Sequence, residues 1–129
     1  MTQPQPPAQP FVRQAGSGPT VVCLHSNASS SAQWRGLMDL LAPRFTVLAP
    51  DSYGSGKTPE WPSDRVISLD DEVQLIEPLI AQASGSVVLV GHSYGASVAL
   101  LAAPLPSAAV NIDPPADRDS THGLLHETP

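Results

Sequence analysis

The sequence predicts an α/β fold in which a mostly parallel sheet is connected by crossover helices. Three short apolar runs, at residues 20–24, 45–49 and 86–90, have the length and composition of buried strands. A helical pattern follows each run, so strands and helices alternate along the chain. That alternation is typical of α/β proteins with right-handed connections between parallel strands.

In the first half of the chain, a short strand can form over residues 11–14, ahead of the first apolar run. The polar loop of residues 25–31 follows that run, and any of its serines can cap the next helix. The helix is predicted over residues 32–41, because its apolar side chains recur at helical spacing, and Pro43 ends it. The apolar side chains of that helix face are Trp34, Leu37, Met38 and Leu41.

The second half begins with a turn-rich loop over residues 50–62. Ser68 has the position of an N-cap for a helix over residues 69–82, whose first acidic residues lie near the positive end of the helix dipole. Pro78 is predicted to kink or shorten that helix. The third apolar run has no polar face, which favours a central parallel strand, and a helix of small residues follows over residues 96–103.

Length and proline content predict how the chain is organised. It has 129 residues, enough for one small domain, and its 15 prolines cluster near the two ends. We therefore expect a disordered Gln/Pro-rich tail over residues 1–10, an ordered domain over residues 11–103, and a disordered proline-rich tail over residues 104–129.

Charge, cysteine content and the distribution of apolar residues indicate which partners and which cellular compartment to expect. The net charge of −6 gives no sign of a surface for nucleic acid or anionic membranes. Cys23 is the only cysteine and lies in an apolar run, so packing is expected of it rather than a disulfide. No secretory signal and no apolar stretch of about 20 residues is present, which predicts a cytoplasmic protein without a membrane span. No metal-binding cluster is visible, and no cofactor is implied.

The segment that carries chemistry is Gly91-His92-Ser93-Tyr94-Gly95. It matches the pattern G-x-S-x-G between a predicted strand and a predicted helix, which is the context of a nucleophile elbow. A turn this tight strains the serine backbone and raises its hydroxyl above the sheet edge, while the glycines let neighbouring elements come close. At the start of a helix, the dipole and a free backbone N–H favour a developing oxyanion.

Three motifs together resemble a known family. They are residues 25–27 after the first apolar run, residues 51–58 after the second, and residues 91–96 around the serine. Their order and separation resemble the N-terminal half of the α/β-hydrolase fold family, of the serine-nucleophile, single-domain esterase and haloperoxidase-like type. The resemblance covers roughly residues 11–103.

The resemblance implies a role for each matching position. Ser93 would be the nucleophile, and Asn27 and Tyr94 would donate backbone N–H groups to the oxyanion. His25 and Asp51 would be structural loop residues rather than members of the catalytic triad.

Two positions depart from the family pattern. Ser26 replaces a glycine in the first loop, which can constrain the loop that supplies an oxyanion donor. Ala96 replaces the second glycine after the nucleophile, a mild change at a close-packed helix start.

A rival motif lies within residues 54–58, where Gly-Ser-Gly-Lys-Thr is similar to the end of a phosphate-binding loop. That loop requires a glycine where this chain has Asp51, and its lysine must open a helix, whereas Pro59 and Pro62 follow here. A dinucleotide-binding G-x-G-x-x-G is absent as well. Nucleotide binding is therefore set aside.

The catalytic base is not identified. In this fold the acid and then the histidine follow the serine along the chain. His122 and His126 follow several aspartates, yet we expect no strand after residue 103 that could hold either imidazole close to Ser93. A truncated or frameshifted product is one hypothesis for this break. The strand before Ser93 would then have an unpaired side that invites self-association.

The sequence thus predicts a hydrolase of small ester-like molecules, with a family activity that this chain carries incompletely. The alternative is a non-catalytic fragment or interaction module that keeps the same half of the fold. The family associates its dehalogenase and epoxide-hydrolase branches with an aspartate at the elbow, so Ser93 argues against those branches. The substrate itself is not encoded in these motifs.

Overall fold

The computed structural model describes residues 9–83, 85–102, 108–112 and 125–128. These residues form a six-stranded sheet with three α-helices and a short 3-10 turn, Ser31–Trp34. The strands are β1 (Val12–Ala15), β2 (Thr20–Leu24), β3 (Thr46–Pro50), β4 (Val87–Gly91), β5 (Ala108–Ile112) and β6 (Leu125–Thr128). The helices are α1 (Arg35–Leu41), α2 (Leu69–Gln82) and α3 (Tyr94–Ala102).

The centre of the sheet is parallel and its two edges are antiparallel. The strand order is β1-β3-β2-β4-β5-β6. Strand β2 pairs in parallel with β3 and β4, and β4 pairs in parallel with β5. Strands β1 and β6 pair antiparallel with β3 and β5. The prediction of a mostly parallel sheet with crossover helices is confirmed.

Two strands lie where the sequence predicts none. In β5, Ala109 pairs with Leu89 and Asn111 pairs with Gly91, and β6 then pairs with β5. Both sides of β4 are therefore hydrogen-bonded, and the prediction of an unpaired side there is wrong. The apolar run of β5 is short and lies between proline-rich segments, so its sequence does not stand out as a strand. Its pairing with β4 is a long-range contact that composition does not encode. Residues 1–8, 104–107 and 113–124, where the sequence predicts disorder, lie outside the described residues.

The sheet is covered on both faces because side chains alternate along β2. Val22 and Leu24 belong to a core cluster with residues of α2 and α3, among them Ile76. Val21 and Cys23 belong to a second cluster that includes Trp34 and Met38. Cys23 is fully buried, and desolvation raises the pKa of its thiol to about 12, so it acts as a packing residue as predicted.

The helices begin and end close to the predicted positions. The 3-10 turn starts with Ser30 as its cap, and α1 continues from it, so the predicted helix over residues 32–41 has two parts. Ser68 and Asp71 form a capping box at the start of α2. Pro78 lies inside α2 and does not shorten it. Within the described residues, no helix is long and apolar enough to span a membrane.

Candidate functional site

The turn between β4 and α3 places Ser93 in a backbone conformation that is rare for a side chain other than glycine. Its φ is 55°, in the left-handed region, and the residue is exposed to solvent. Strain of this kind costs about 1–3 kcal/mol and persists only where the surrounding structure imposes it. The turn is held by hydrogen bonds from Gly95 N to His92 O at 3.0 Å and from Ala96 N to Ser93 O at 2.9 Å.

The two glycines of this elbow (residues 91–95) are required by close backbone contacts. A Cβ on Gly91 would lie closer than 3.0 Å to the backbone of Ala96. A Cβ on Gly95 would lie closer than 3.0 Å to the carbonyl oxygen of Leu24, at the end of β2. Neither position has room for a side chain, because α3 starts directly against β2 and β4.

The His25 loop (residues 25–30) follows β2 and lies beside the elbow. The amide of His92 donates to the carbonyl of Leu24 at 3.1 Å, which joins the end of β2 to the elbow. Ala28 has a left-handed backbone with φ 59°, and Ser29 N donates to Ser26 O at 3.2 Å to close the turn. Asn27 is exposed, and neither its amide nor that of Tyr94 donates to another described residue.

Gln33 connects the His25 loop to the elbow, a contact that sequence reasoning missed. Its Oε1 accepts from the Ser26 amide at 2.9 Å and from the Ser26 hydroxyl at 3.3 Å. Its Nε2 contacts His92 Nδ1 at 2.7 Å. The replacement of glycine by Ser26 was the available signal, since it adds a hydroxyl that needs a partner.

Both ring nitrogens of His25 are engaged. Nε2 accepts from the Ser52 amide at 3.0 Å, and Nδ1 donates to the carbonyl of Ser26 at 2.7 Å. His25 is 1% exposed. These contacts tie the end of β2 to the loop after β3, and they leave the imidazole no free nitrogen with which to accept a proton from Ser93.

Asp51 occupies the centre of the Asp51 loop (residues 51–58). Its Oδ1 accepts from the Ser31 amide at 2.7 Å and its Oδ2 accepts from the Lys57 amide at 2.9 Å, while the Thr58 hydroxyl donates to its carbonyl at 2.8 Å. Burial acts to raise the pKa of Asp51, but the Lys57 and Ser31 hydrogen bonds outweigh it and hold the pKa below its usual value.

The same contacts argue against a phosphate site in the Asp51 loop. The Lys57 amide points at the Asp51 carboxylate, and the Lys57 ammonium lies 4.8 Å from the centre of the Phe11 ring. Residues 59–68 after it are not helical. An anion would meet a carboxylate where a phosphate-binding loop presents free amides.

Glu72 is another buried carboxylate, and the sequence suggested only that it interacts with the helix dipole. It is 4% exposed, and its Oε1 accepts from the Tyr53 amide at 3.2 Å. Burial raises the pKa of Glu72. The phenol of Tyr94 interacts with this carboxyl, and burial together with that negative charge raises the pKa of Tyr94 to about 12. Glu72 thus contacts the residue that follows Ser93.

A cleft of about 320 Å³ opens between the His25 loop, the Asp51 loop and the start of α3. Asn27 and Tyr94 both line it, together with Glu72, while Ser93 lies outside its described lining. Tyr53 and Trp61 form one wall, with their ring centres 5.1 Å apart in an edge-to-face arrangement. The cleft therefore has a partly aromatic lining that includes the buried carboxyl group of Glu72.

Among the side chains that the structure describes, no histidine ring is hydrogen-bonded to Ser93. Nδ1 of His92 contacts Gln33, and His25 is fully engaged. His122 lies outside the described residues, and the backbone of His126 pairs with Asn111 in β5. Among the described residues, no group of three or more His, Cys, Asp or Glu side chains could hold a metal ion.

A left-handed serine at a strand-to-helix turn, at the end of a central parallel strand, defines the class of α/β-hydrolase-type proteins. The sequence model described as the alpha/beta hydrolase family matches residues 21–127. This chain belongs to the alpha/beta hydrolase family, which confirms the resemblance drawn from the three motifs.

Several relatives and solved structures carry hydrolase names. The chain is 40% identical over 94 residues to 2-(acetamidomethylene)succinate hydrolase from Mesorhizobium japonicum, covering 71% of this chain and 33% of that protein. It is 37% identical over 108 residues to lipase LipV from Mycobacterium tuberculosis, covering 79% of this chain and 40% of that protein. The crystal structure of an alpha/beta hydrolase from Sphaerobacter thermophilus superposes with a TM-score of 0.63 at 33% identity, covering 71% of this chain and 35% of that one.

The share of each relative that is matched is small. The chain spans 33% and 40% of the two curated relatives named above, and 35% of the solved structure.

Proposed function

We propose that this chain carries the nucleophile-bearing part of a serine hydrolase that cleaves esters or related small acyl compounds. The observation that carries the proposal is the left-handed backbone of Ser93, enforced between two glycines that have no room for a side chain. A strained, exposed serine at a helix N-terminus is the arrangement that presents a hydroxyl to an acyl carbon.

The proposed oxyanion donors are the backbone N–H groups of Asn27 and Tyr94. Both residues line the same cleft, and neither amide donates to another described residue. Two N–H groups aimed at one oxygen stabilise the charge that develops in acyl transfer. His25 and Asp51 then serve as loop-holding residues, which agrees with their burial and with the backbone groups that they bind.

The general base stays unassigned. A serine hydroxyl requires a base to remove its proton as it attacks, and that base requires an orienting group. Both ring nitrogens of His25 are engaged, Nδ1 of His92 contacts Gln33, and no hydrogen bond joins Ser93 to either ring. The family activity is therefore proposed for Ser93, and we propose that it is incomplete in this chain taken by itself.

A second candidate is a non-catalytic module that retains this part of the fold. The contacts of the two described imidazoles that lie near the elbow favour it, since neither His25 nor His92 is hydrogen-bonded to Ser93. Self-association is no longer supported by an open β4, because β5 covers that strand. A cytoplasmic location, and the absence of nucleic-acid and membrane partners, stay predictions from the sequence.

A fluorophosphonate probe tests the catalytic proposal. The probe should label the purified chain, and Ser93→Ala should abolish the labelling, because the probe reacts covalently with an activated serine hydroxyl. Ser97→Ala is the matched control: Ser97 is an exposed serine on the next turn of α3, and its loss should leave labelling unchanged.

Two outcomes would count against the proposal. Equal labelling of the Ser93→Ala variant would place the reactive group elsewhere. No labelling of a chain whose circular dichroism and thermal transition show it to be folded would overturn catalysis by this chain and favour the non-catalytic module.

A further inference from the structure

Gln33 makes contacts that no catalytic role has yet used. It lies in the 3-10 turn before α1 and its side chain is exposed, so packing does not account for its orientation. One end of its carboxamide holds the amide and hydroxyl of Ser26, and the other end contacts the ring of His92. A single planar group thus joins the His25 loop to the elbow.

We propose that Gln33 is a positioning residue that sets the distance between the two oxyanion donors. The inference rests on the proposed function, because the groups it positions are the N–H groups of Asn27 and Tyr94. Ser26 immediately precedes Asn27, and His92 lies two residues before Tyr94. Because the Gln33 carboxamide binds both Ser26 and His92, it restrains the backbone near Asn27 and near Tyr94, on the two sides of the proposed oxyanion position.

The geometry also dictates a tautomer. Ser26 N–H can only donate, so Oε1 of Gln33 faces Ser26 and the NH₂ group faces His92. An NH₂ group that donates to Nδ1 requires that nitrogen to carry no proton. The neutral ring of His92 must then carry its proton on Nε2.

The position of Gln33 matters because the two donors belong to different elements. Asn27 follows β2 and Tyr94 begins α3, and the elbow is joined to the end of β2 by the hydrogen bond from His92 N to Leu24 O. That hydrogen bond joins the elbow to the residue just before the His25 loop. Gln33 adds a second connection, farther along the His25 loop. Two connections fix the orientation of the His25 loop relative to the elbow, whereas one connection would let the loop rotate. An oxyanion donor misplaced by about 1 Å loses much of its effect.

The experiment compares Gln33→Ala and Gln33→Glu with the wild-type chain, using the His92 ring nitrogens and the backbone amides observed by NMR. Wild type should show His92 protonated on Nε2 with Nδ1 bare. Gln33→Glu keeps an acceptor for Ser26 but presents only acceptors to His92, so the ring should carry a proton on Nδ1. Gln33→Ala should speed hydrogen exchange at the Ser26 amide about tenfold or more.

The amide chemical shifts of Asn27 and Tyr94 report positioning without any reaction. Both should move in Gln33→Ala and return towards wild type in Gln33→Glu. The matched control is Gln74→Ala: Gln74 is another exposed glutamine whose Nε2 donates to Asp70 at 3.1 Å, on α2. It should change none of these signals.

Labelling of Ser93 by the fluorophosphonate gives the functional measurement. The labelling rate should fall about tenfold in Gln33→Ala, recover in part in Gln33→Glu, and stay unchanged in Gln74→Ala. A wild-type His92 ring protonated on Nδ1, or unchanged Asn27 and Tyr94 shifts in Gln33→Ala, would overturn the positioning role. Unchanged labelling despite moved shifts would also overturn it, whereas failure of wild type to label would count against the proposed function alone.

Discussion

The Asp51 loop and the His25 loop flank the same cleft, yet they are held in different ways. A buried carboxylate holds the Asp51 loop from within, since Asp51 accepts hydrogen bonds from Lys57 in the same loop and from Ser31 beside it. In the His25 loop, the buried ring of His25 binds the carbonyl of Ser26 and the amide of Ser52, and the exposed side chain of Gln33 binds Ser26 as well. Both loops therefore contain a buried polar group, and only the His25 loop also depends on an exposed side chain.

The two loops also differ in how well their residue types suit their backbone conformations. Gly56 supplies a left-handed φ of 52° in the Asp51 loop without steric cost, whereas Ala28 adopts φ 59° in the His25 loop with a side chain present. The Asp51 loop is thus matched to its conformation by its residue types, and the His25 loop is strained. We expect the first to resist local opening more strongly than the second.

The largest effect should come from Asp51→Ala. The substitution removes the acceptor for two backbone amides and leaves a gap at a site that is 1% exposed. The free energy of unfolding should fall by about 2–4 kcal/mol, as measured by urea denaturation. Asp39→Ala, an exposed aspartate on α1, is the control and should change it little. An equally small effect at Asp51 would remove the distinction between the loops.

Asp51 also predicts how stability depends on pH. Because the folded protein lowers the pKa of this carboxyl, the stability that it contributes is fully present above its ordinary value of 3.8. That contribution is lost as the pH falls through the lower pKa of the folded state. Asp51→Asn should flatten the acid limb of a plot of unfolding free energy against pH, and an unchanged limb would contradict the assignment.

A smaller loss is expected for Gly56→Ala. An added Cβ would lie closer than 3.0 Å to the Asp51 carboxylate, and the left-handed backbone disfavours alanine as well. The expected cost is about 1–3 kcal/mol, read from the shift of the thermal or urea transition. The control is Gly36→Ala, since Gly36 lies in α1 with nothing within 4 Å of an added Cβ. It should stabilise the chain by about 0.5–1 kcal/mol.

The smallest effect, and one of opposite sign, is expected for Ala28→Gly. Glycine removes the steric cost of the left-handed backbone, so the chain should gain up to about 1 kcal/mol in stability. The gain is limited because glycine also increases the entropy of the unfolded chain. Destabilisation by Ala28→Gly would mean that the His25 loop is not strained and would weaken the contrast with the Asp51 loop.

Much of the site was predictable because its constraints are local. The pattern G-x-S-x-G specifies a tight turn by itself, and the structure has both glycines against backbone and Ser93 in the left-handed region. The apolar runs of β2, β3 and β4 are buried as expected. Ser68 indicated the N-cap of α2, and the structure adds that Asp71 completes the capping box.

What escaped prediction depends on contacts between distant residues. Gln33 and His92 are 59 positions apart, and Glu72 meets Tyr53 across 19 positions. Strand β5 was missed because its pairing with β4 forms only once the sheet is assembled. Sequence pattern and composition describe residues that are neighbours along the chain. They do not show which side chains of different loops come into contact.

The sequence by itself determined the α/β class, the elbow and the family, because apolar periodicity and glycine spacing act over a few residues. The tertiary structure alone decided which groups stabilise the site: Asp51 in one loop, His25 and Gln33 in the other, and Glu72 in contact with Tyr94. The physical reason is that hydrogen bonds of buried and bridging groups depend on where the sheet brings the loops, and the whole packed chain sets that position.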